Sequence, residues 1–154
     1  WGFANDPTTA IRCYVNNNKL YVRYECGKVG LELNDTGEFI KSKIPNAEKY
    51  VIRADCARPE SISHVRRWLP KIEPCKKWAG SVEDGIEHIR SYDEVVIHPS
   101  CTETIEEFTK YSYKVHRQSG EILPDIVDLF NHYIDAIRYA LGPLIKNENT
   151  FFIG

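Results

Sequence analysis

IVDLFNHYIDAIRYAL, Ile126–Leu141, is the stretch whose reading decides the fold. At roughly 100° per residue, Ile126, Phe130, Ile134, Ile137 and Leu141 gather on one side of a helix of about four turns. Gly142 and Pro143 are predicted to close it. With Asp128 at the origin, His132 lies at about +40° and Asp135 at about −20°, so two carboxylates and an imidazole share a strip opposite the apolar side. Charged residues in that position are ordinarily just solvated, so the strip reads either as an outward polar face or as a metal-binding edge.

The wording of the stretch is more specific than its periodicity. Asn131, His132, Asp135, Ala136, Arg138, Tyr139, Ala140 and Leu141 resemble the NHxxDAxRYAL signature near the end of the nuclease domain of phage terminase large subunits. The resemblance implies an RNase H-like fold in which Asp135 is one of three acidic residues that bind divalent metal. Asp55, Ala57, Pro59, Ser61 and Ile62 resemble the D-x-A-x-P-x-S-I segment carrying the second acid, which makes Asp55 the partner of Asp135. Lys77, Gly80, Ser81, Gly85 and Ile86 resemble the family's K-x-x-G-S-x-x-x-G-I stretch, which implies that Lys77 contacts DNA near the scissile phosphate. Terminase nuclease domains also commonly carry an Asp-Trp-Gly-Phe run followed shortly by Asp-Pro. Trp1, Gly2, Phe3, Asp6 and Pro7 fit that pattern, and the metal-binding Asp of the run would stand ahead of Trp1. Residues 1–154 therefore read as a single nuclease domain truncated at its N-terminus, with Asp6 as the nearby substitute acid. An Asp before Pro more commonly shapes a turn.

Composition sets outer bounds. A chain of 154 residues is one domain by the usual prior, large enough for a real core. With 42% hydrophobic residues and no apolar run near 18 residues, it predicts neither a transmembrane helix nor a signal peptide. Cysteines at 13, 26, 56, 75 and 101 are odd in number and form no Cys-x-x-Cys pair, which argues for a reducing cytoplasm and against a zinc knuckle. A net charge of −2 gives no general argument for nucleic-acid binding. The segment from Arg58 to Lys77 is different: Arg58, Arg66, Arg67, Lys71, Lys76 and Lys77 against Glu60 and Glu73 give a local +4. On one face these residues would form a phosphate-backbone footprint, and singly they would be solvated.

Taken in order, Thr8 to Val15 and Leu20 to Tyr24 read as antiparallel strands around an Asn16–Asn18 turn, with Leu20, Val22 and Tyr24 on one face. A helix from Leu31 to Lys43 follows, with Leu33, Phe39 and Ile40 as its buried stripe, and Pro45 ends it. Tyr50 to Cys56 fits a central strand of a mixed sheet, delivering Asp55 to its carboxyl end, where α/β folds place ligand-binding groups and where turn-capping acids also occur. Glu60 to Leu69 reads as a helix, Ser81 as the cap of a helix ending near Tyr92, and Glu94 to His98 as a strand. Thr102 would cap a helix to Tyr111, and Ser112 to Leu123 would form a hairpin before the last helix. Trp78 stacks on a base or fills the core. This order gives an α/β fold, RNase H-like, with a mixed central sheet, flanking helices and an antiparallel front meander. No G-x-x-x-x-G-K-[ST] loop occurs, so a packaging ATPase would lie on another chain segment.

The chemistry these expectations lead to is phosphodiester hydrolysis with two Mg²⁺ or Mn²⁺ ions about 4 Å apart, hard cations suited to carboxylate ligands. Asp55 would sit between the ions, Asp135 would hold one, Asp128 would ligate directly or through water, and His132 would ligate Mn²⁺ or carry a proton. The DNA-contacting candidates are Lys77, Lys76, Arg58, Arg66 and Arg67. By resemblance the function is an endonuclease of viral genome packaging in the host cytoplasm, cutting concatemeric double-stranded DNA. Its partners would be the ATPase domain, the small terminase subunit and the portal. The alternatives are an inert DNA-binding or docking fragment of the motor, and a resolvase or transposase of the same fold. On the polar-strip view of the helix, Asp135→Ala would abolish cleavage and leave thermal stability almost unchanged.

Overall fold

Asn17 and Asn18 fix the front hairpin. Both take left-handed backbone conformations, φ 51° and 56°, as a two-residue hairpin turn requires. They join β1 (Pro7–Asn16) to an antiparallel β2 (Lys19–Val29). The computed structural model describes residues 1–2, 6–117 and 131–146, and among these the side chains of all but 112–117. Its further elements are α1 (Leu33–Lys43), β3 (Ile52–Ala54), α2 (Pro59–Val65), β4 (Ile72–Pro74), α3 (Ser81–Arg90), β5 (Glu94–Ile97), α4 (Thr102–Arg117) and α5 (His132–Ile145). The α/β order with an antiparallel front is the one the sequence predicted. Among the described residues no helix is long and apolar enough to cross a membrane.

β5 joins β2 in parallel, giving a mixed three-stranded sheet in the order β1-β2-β5. The β1–β2 register slips between Arg12 and Cys13, so Arg23 is an extra residue on β2. A bulge of this kind reverses which way the following side chains face. Leu20 and Val22 accordingly pack in one core with Ile86, Ile89, Ile134 and Ile137, whereas Tyr24 and Cys26 belong to the other, with Ile40, Ile62, Val65 and Ile72. The expected single face of Leu20, Val22 and Tyr24 is thereby corrected. The sheet carries a core on each side.

β3 also departs from expectation. It is three residues long and, among the described residues, pairs in parallel with β4 and not with the three-stranded sheet. β4 was not foreseen, because a three-residue strand ending in Pro74 has too little pattern to register. α5 bridges the two sheets by packing on both β1 and β3, and that holds the strand end bearing Asp55 against the helix bearing Asp135.

The helix ends are set by distant groups. Glu25, from β2, accepts hydrogen bonds from the Glu103 and Thr104 amides and the Thr104 hydroxyl at 3.0, 2.9 and 2.6 Å, taking the capping role foreseen for Thr102. α4 then runs through Arg117, over the first half of the predicted hairpin; the remainder of that hairpin lies outside the described residues. α5 begins at His132 and not at Ile126, because Asn131 has a non-helical φ of −130°. Residues 126–130, and with them Asp128, lie outside the described residues. α5 also continues past Gly142 and Pro143 to Ile145, since a proline in the last turn removes only one helical bond.

The buried carboxylate of Glu107 caps α5, accepting from the Tyr133 amide at 3.0 and 3.1 Å and the Ile134 amide at 3.1 Å. Burial raises its pKa from 4.5 to about 7, against the lowering effect of those two amides. The folded state therefore holds this proton more tightly than the unfolded chain. The stabilisation from that proton is complete below pH 4.5 and is lost as pH rises to about 7, a change of about 3 kcal/mol at most. Glu107→Gln, which keeps an oxygen acceptor, should remove that part of the decline. Urea midpoints measured across this pH range would check it, and identical pH profiles for variant and parent would contradict it.

Candidate active site

Asp55 stands directly after β3, and its carboxylate closes a turn by accepting from the Ala57 amide at 3.2 Å. Pro59 then begins α2 at a position where a missing N–H costs nothing. Lys77 Nζ lies 2.6 Å from Asp55 Oδ1. Burial pushes the Asp55 carboxyl up, but Lys77 and the Ala57 amide outweigh it and hold it below the usual range. Burial likewise pulls Lys77 down, and Asp55 more than restores it, leaving the amine above its ordinary value. The Trp1 indole N–H donates to the Asp55 backbone oxygen at 2.9 Å, so the first residue is seated against this strand end.

Asp135 occupies the first turn of α5, half-buried with 28% of its side chain exposed. Arg138, one helical turn on and only 8% exposed, donates from Nη2 to Asp135 Oδ1 at 2.7 Å. Burial raises the Asp135 carboxyl above the ordinary range; Arg138 opposes this, and the negative charge of Asp55 reinforces it. The sequence identified Asp135 but overlooked what Arg138 does for it, although an Asp and an Arg at i, i+3 are a recognisable helical pair. Tyr139 lies between the two ion pairs, with Lys77 Nζ at 5.6 Å and Arg138 Cζ at 5.5 Å from its ring centre.

Asp55, Asp135, His132, Trp1 and Tyr139 line one cleft of about 190 Å³. The hydrogen bonds from the Ala57 amide, Lys77, Asn131 and Arg138 to the two carboxylates all end on Oδ1, which leaves Oδ2 of each without a hydrogen-bond partner among the described residues. A half-buried carboxylate oxygen lacking a donor is a natural ligand for a hard cation. His132 Nε2 lies 3.7 Å from Asp6 Oδ1, and the substitute acid, 65% exposed, lines the hollow next to the cleft with Glu107. Among the described residues, the close triad of metal-donor atoms is Asp55, Cys56 and Cys75, a set that excludes Asp135 and was not foreseen.

Two glycines of the resemblance have structural explanations. Gly80 precedes α3 with φ 82°, a left-handed cap that leaves Ser81 as the first helical residue and not the cap. At Gly85, a Cβ would come within 2.5 Å of Arg138 Cδ, so its absence lets α3 seat the arginine that holds Asp135.

Residues 1–142 match the family described as "Terminase RNAseH like domain". The chain belongs to the terminase RNase H-like domain family. The large terminase subunit of Bacillus phage SPP1 is 32% identical over 160 residues, covering all of this chain and 37% of the relative. The PBSX phage terminase large subunit of Bacillus subtilis (strain 168) is 24% identical over 92% of this chain and 32% of its own length. This chain thus spans about a third of the curated relatives it matches. The crystal structure of the SPP1 large terminase nuclease domain with bound Mn superposes with a TM-score of 0.76 at 29% identity, over 91% of this chain and 80% of that one. The large terminase of the thermophilic bacteriophage D6E shares the fold, with a TM-score of 0.68 at 21% identity, over 94% of this chain and 38% of that one. The RNase H-like architecture predicted from the sequence is the one observed.

The basic candidates extend from the cleft to the far end of α2. Lys77 is at the cleft, and Lys76 lines a neighbouring hollow with Trp78 and Tyr139. Arg58 is exposed at the start of α2, while Arg66 and Arg67 follow its end, about 10 Å further along the helix axis. Arg66 donates to the Ile72 carbonyl at 3.3 Å. Trp78 belongs to neither core; its indole donates to Asp84 Oδ2 at 2.7 Å.

Proposed function

We propose that this chain is the metal-dependent endonuclease domain of a viral DNA-packaging terminase, cutting concatemeric double-stranded DNA by two-metal hydrolysis. The observation that carries the proposal is the shared cleft in which Asp55 and Asp135 each keep one carboxylate oxygen unpartnered among the described residues. Asp55 and Asp135 would hold Mg²⁺ or Mn²⁺, with His132 and Asp128 as additional ligands; the Mn bound in the SPP1 nuclease domain supports that choice. Bound there, the ions would activate water and neutralise the leaving 3′-oxygen. Lys77, now tied to Asp55, is the residue to exchange its carboxylate for a DNA phosphate. Lys76, Arg58, Arg66 and Arg67 would contact backbone, giving little sequence preference. The partners are the ATPase domain of the longer polypeptide, the small terminase subunit and the portal, acting in the host cytoplasm.

The Trp1 indole donates to the Asp55 backbone oxygen, so a residue joined ahead of Trp1 would begin close to that strand end. This supports an Asp at that position as the third acid. Supercoiled plasmid incubated with Mn²⁺ and the chain, with and without an Asp ahead of Trp1, tests the proposal. Nicking and linearisation are expected with the Asp present. Cleavage in neither case would favour a DNA-holding module, and cutting confined to branched substrates would favour a resolvase.

A further inference from the structure

Cys75 is buried yet belongs to neither apolar core, whereas Cys13, Cys26 and Cys101 all pack in one. A buried free cysteine ordinarily serves as a small core hydrophobe, so Cys75 has a different setting. Its position follows from the β3–β4 pairing. Ala54 is in register with Pro74, and the Cys75 amide donates to the Ala54 carbonyl at 2.7 Å, which carries the parallel alignment one residue onward to Asp55 and Cys75. Cys56, half-buried, comes next in the chain. A carboxylate oxygen of Asp55 and the sulfurs of Cys56 and Cys75 consequently lie within 4.8 Å of one another. Both thiols are free.

Two sulfurs and one carboxylate oxygen are a poor donor set for Mg²⁺ or Mn²⁺ and a good one for a borderline or soft divalent cation, which three protein ligands hold with a fourth position for water. We propose that Asp55, Cys56 and Cys75 form a second cation site, of the Zn²⁺ class, that shares Asp55 with the hard-metal cleft. On binding, two metal–sulfur bonds and one metal–oxygen bond form, and the two S–H protons leave to solvent, so the charge of the site is unchanged. A cation held there draws Asp55 away from Lys77 and from the cleft and suppresses cleavage; this clause alone rests on the nuclease reading.

Cd²⁺ is the probe, because its thiolate bonds give an ultraviolet charge-transfer band that is read whether or not the chain cuts DNA. Reduced, metal-free protein is titrated alongside C56S, C75S and a C13S/C101S control. Saturation at about one Cd²⁺ per chain is expected for the parent and the control, with the band weakened and affinity lost in C56S and in C75S. Melting curves provide a second readout: Cd²⁺ should raise the melting temperature of the parent and leave that of C56S unmoved. A band equally strong in C56S and C75S, or no stoichiometric binding by the folded parent, overturns the site even where the nuclease is active. A band that behaves as expected in a chain that never cleaves DNA supports the site and counts against the nuclease reading only.

Discussion

Asp135→Ala should lower the free energy of unfolding by about 3 kcal/mol, where a solvated polar strip predicts almost no change. The cause is Arg138. Its side chain is only 8% exposed, and its guanidinium is held by Asp135 Oδ1 at 2.7 Å and, weakly, by the Ser81 carbonyl at 3.4 Å; its Nε already lacks a partner among the described residues. Truncating the aspartate leaves a buried cation without its anion, the costly way to break such a pair. Asp135→Asn separates structure from chemistry, because an amide oxygen still accepts from Arg138 and only the negative charge is removed. The asparagine variant should therefore lose less stability in urea than the alanine variant, because the hydrogen bond survives and only the charge attraction is lost, and yet fail to bind Mn²⁺ or cut plasmid. Ile137→Ala, at a site with no exposed surface, is the packing control and should cost about 2–5 kcal/mol. An Asp135→Ala protein as stable as its parent would mean that Arg138 finds water or another anion.

What the sequence could tell depended on how far apart the interacting residues lie in the chain. The Asn17-Asn18 turn, the strand at Glu94–Ile97 and the delivery of Asp55 to a strand end are local patterns, and they were legible. The start of α5 was not, because the group that caps it is Glu107, 25 residues earlier, while periodicity alone carried the helix back to Ile126. The bulge at Arg23 has no glycine to announce it, so the reversal of faces between Val22 and Tyr24 went unseen. Cys56 and Cys75 meet only because two three-residue strands run parallel, and one of those strands was not foreseen. The family motifs fared better because they encode spatial neighbours, as Gly85 and Arg138 do.

Asp55→Asn carries the second large expectation: a loss of cleavage on the order of 10³-fold or more with little change in stability, since metal stabilisation of the transition state amounts to several kcal/mol. The fold should tolerate the change. An asparagine oxygen can still accept from Lys77 and from the Ala57 amide, and the Trp1 indole bonds the backbone oxygen of residue 55, which the substitution leaves in place. The Asp55–Lys77 pair is partly exposed, 27% and 43%, so losing its charge attraction should cost less than about 1 kcal/mol. pH adds an independent check. Asp55 is held below the usual carboxylate range and Asp135 above it, so on acidification Asp135 takes up its proton first. Mn²⁺ affinity should thus begin to fall while Asp55 is still ionised, which calorimetric titrations on the parent at successively lower pH would check. Wild-type cleavage by Asp55→Asn would reduce Asp55 to a turn-closing residue at a strand end, and the two-carboxylate centre would have to be sought elsewhere in the cleft.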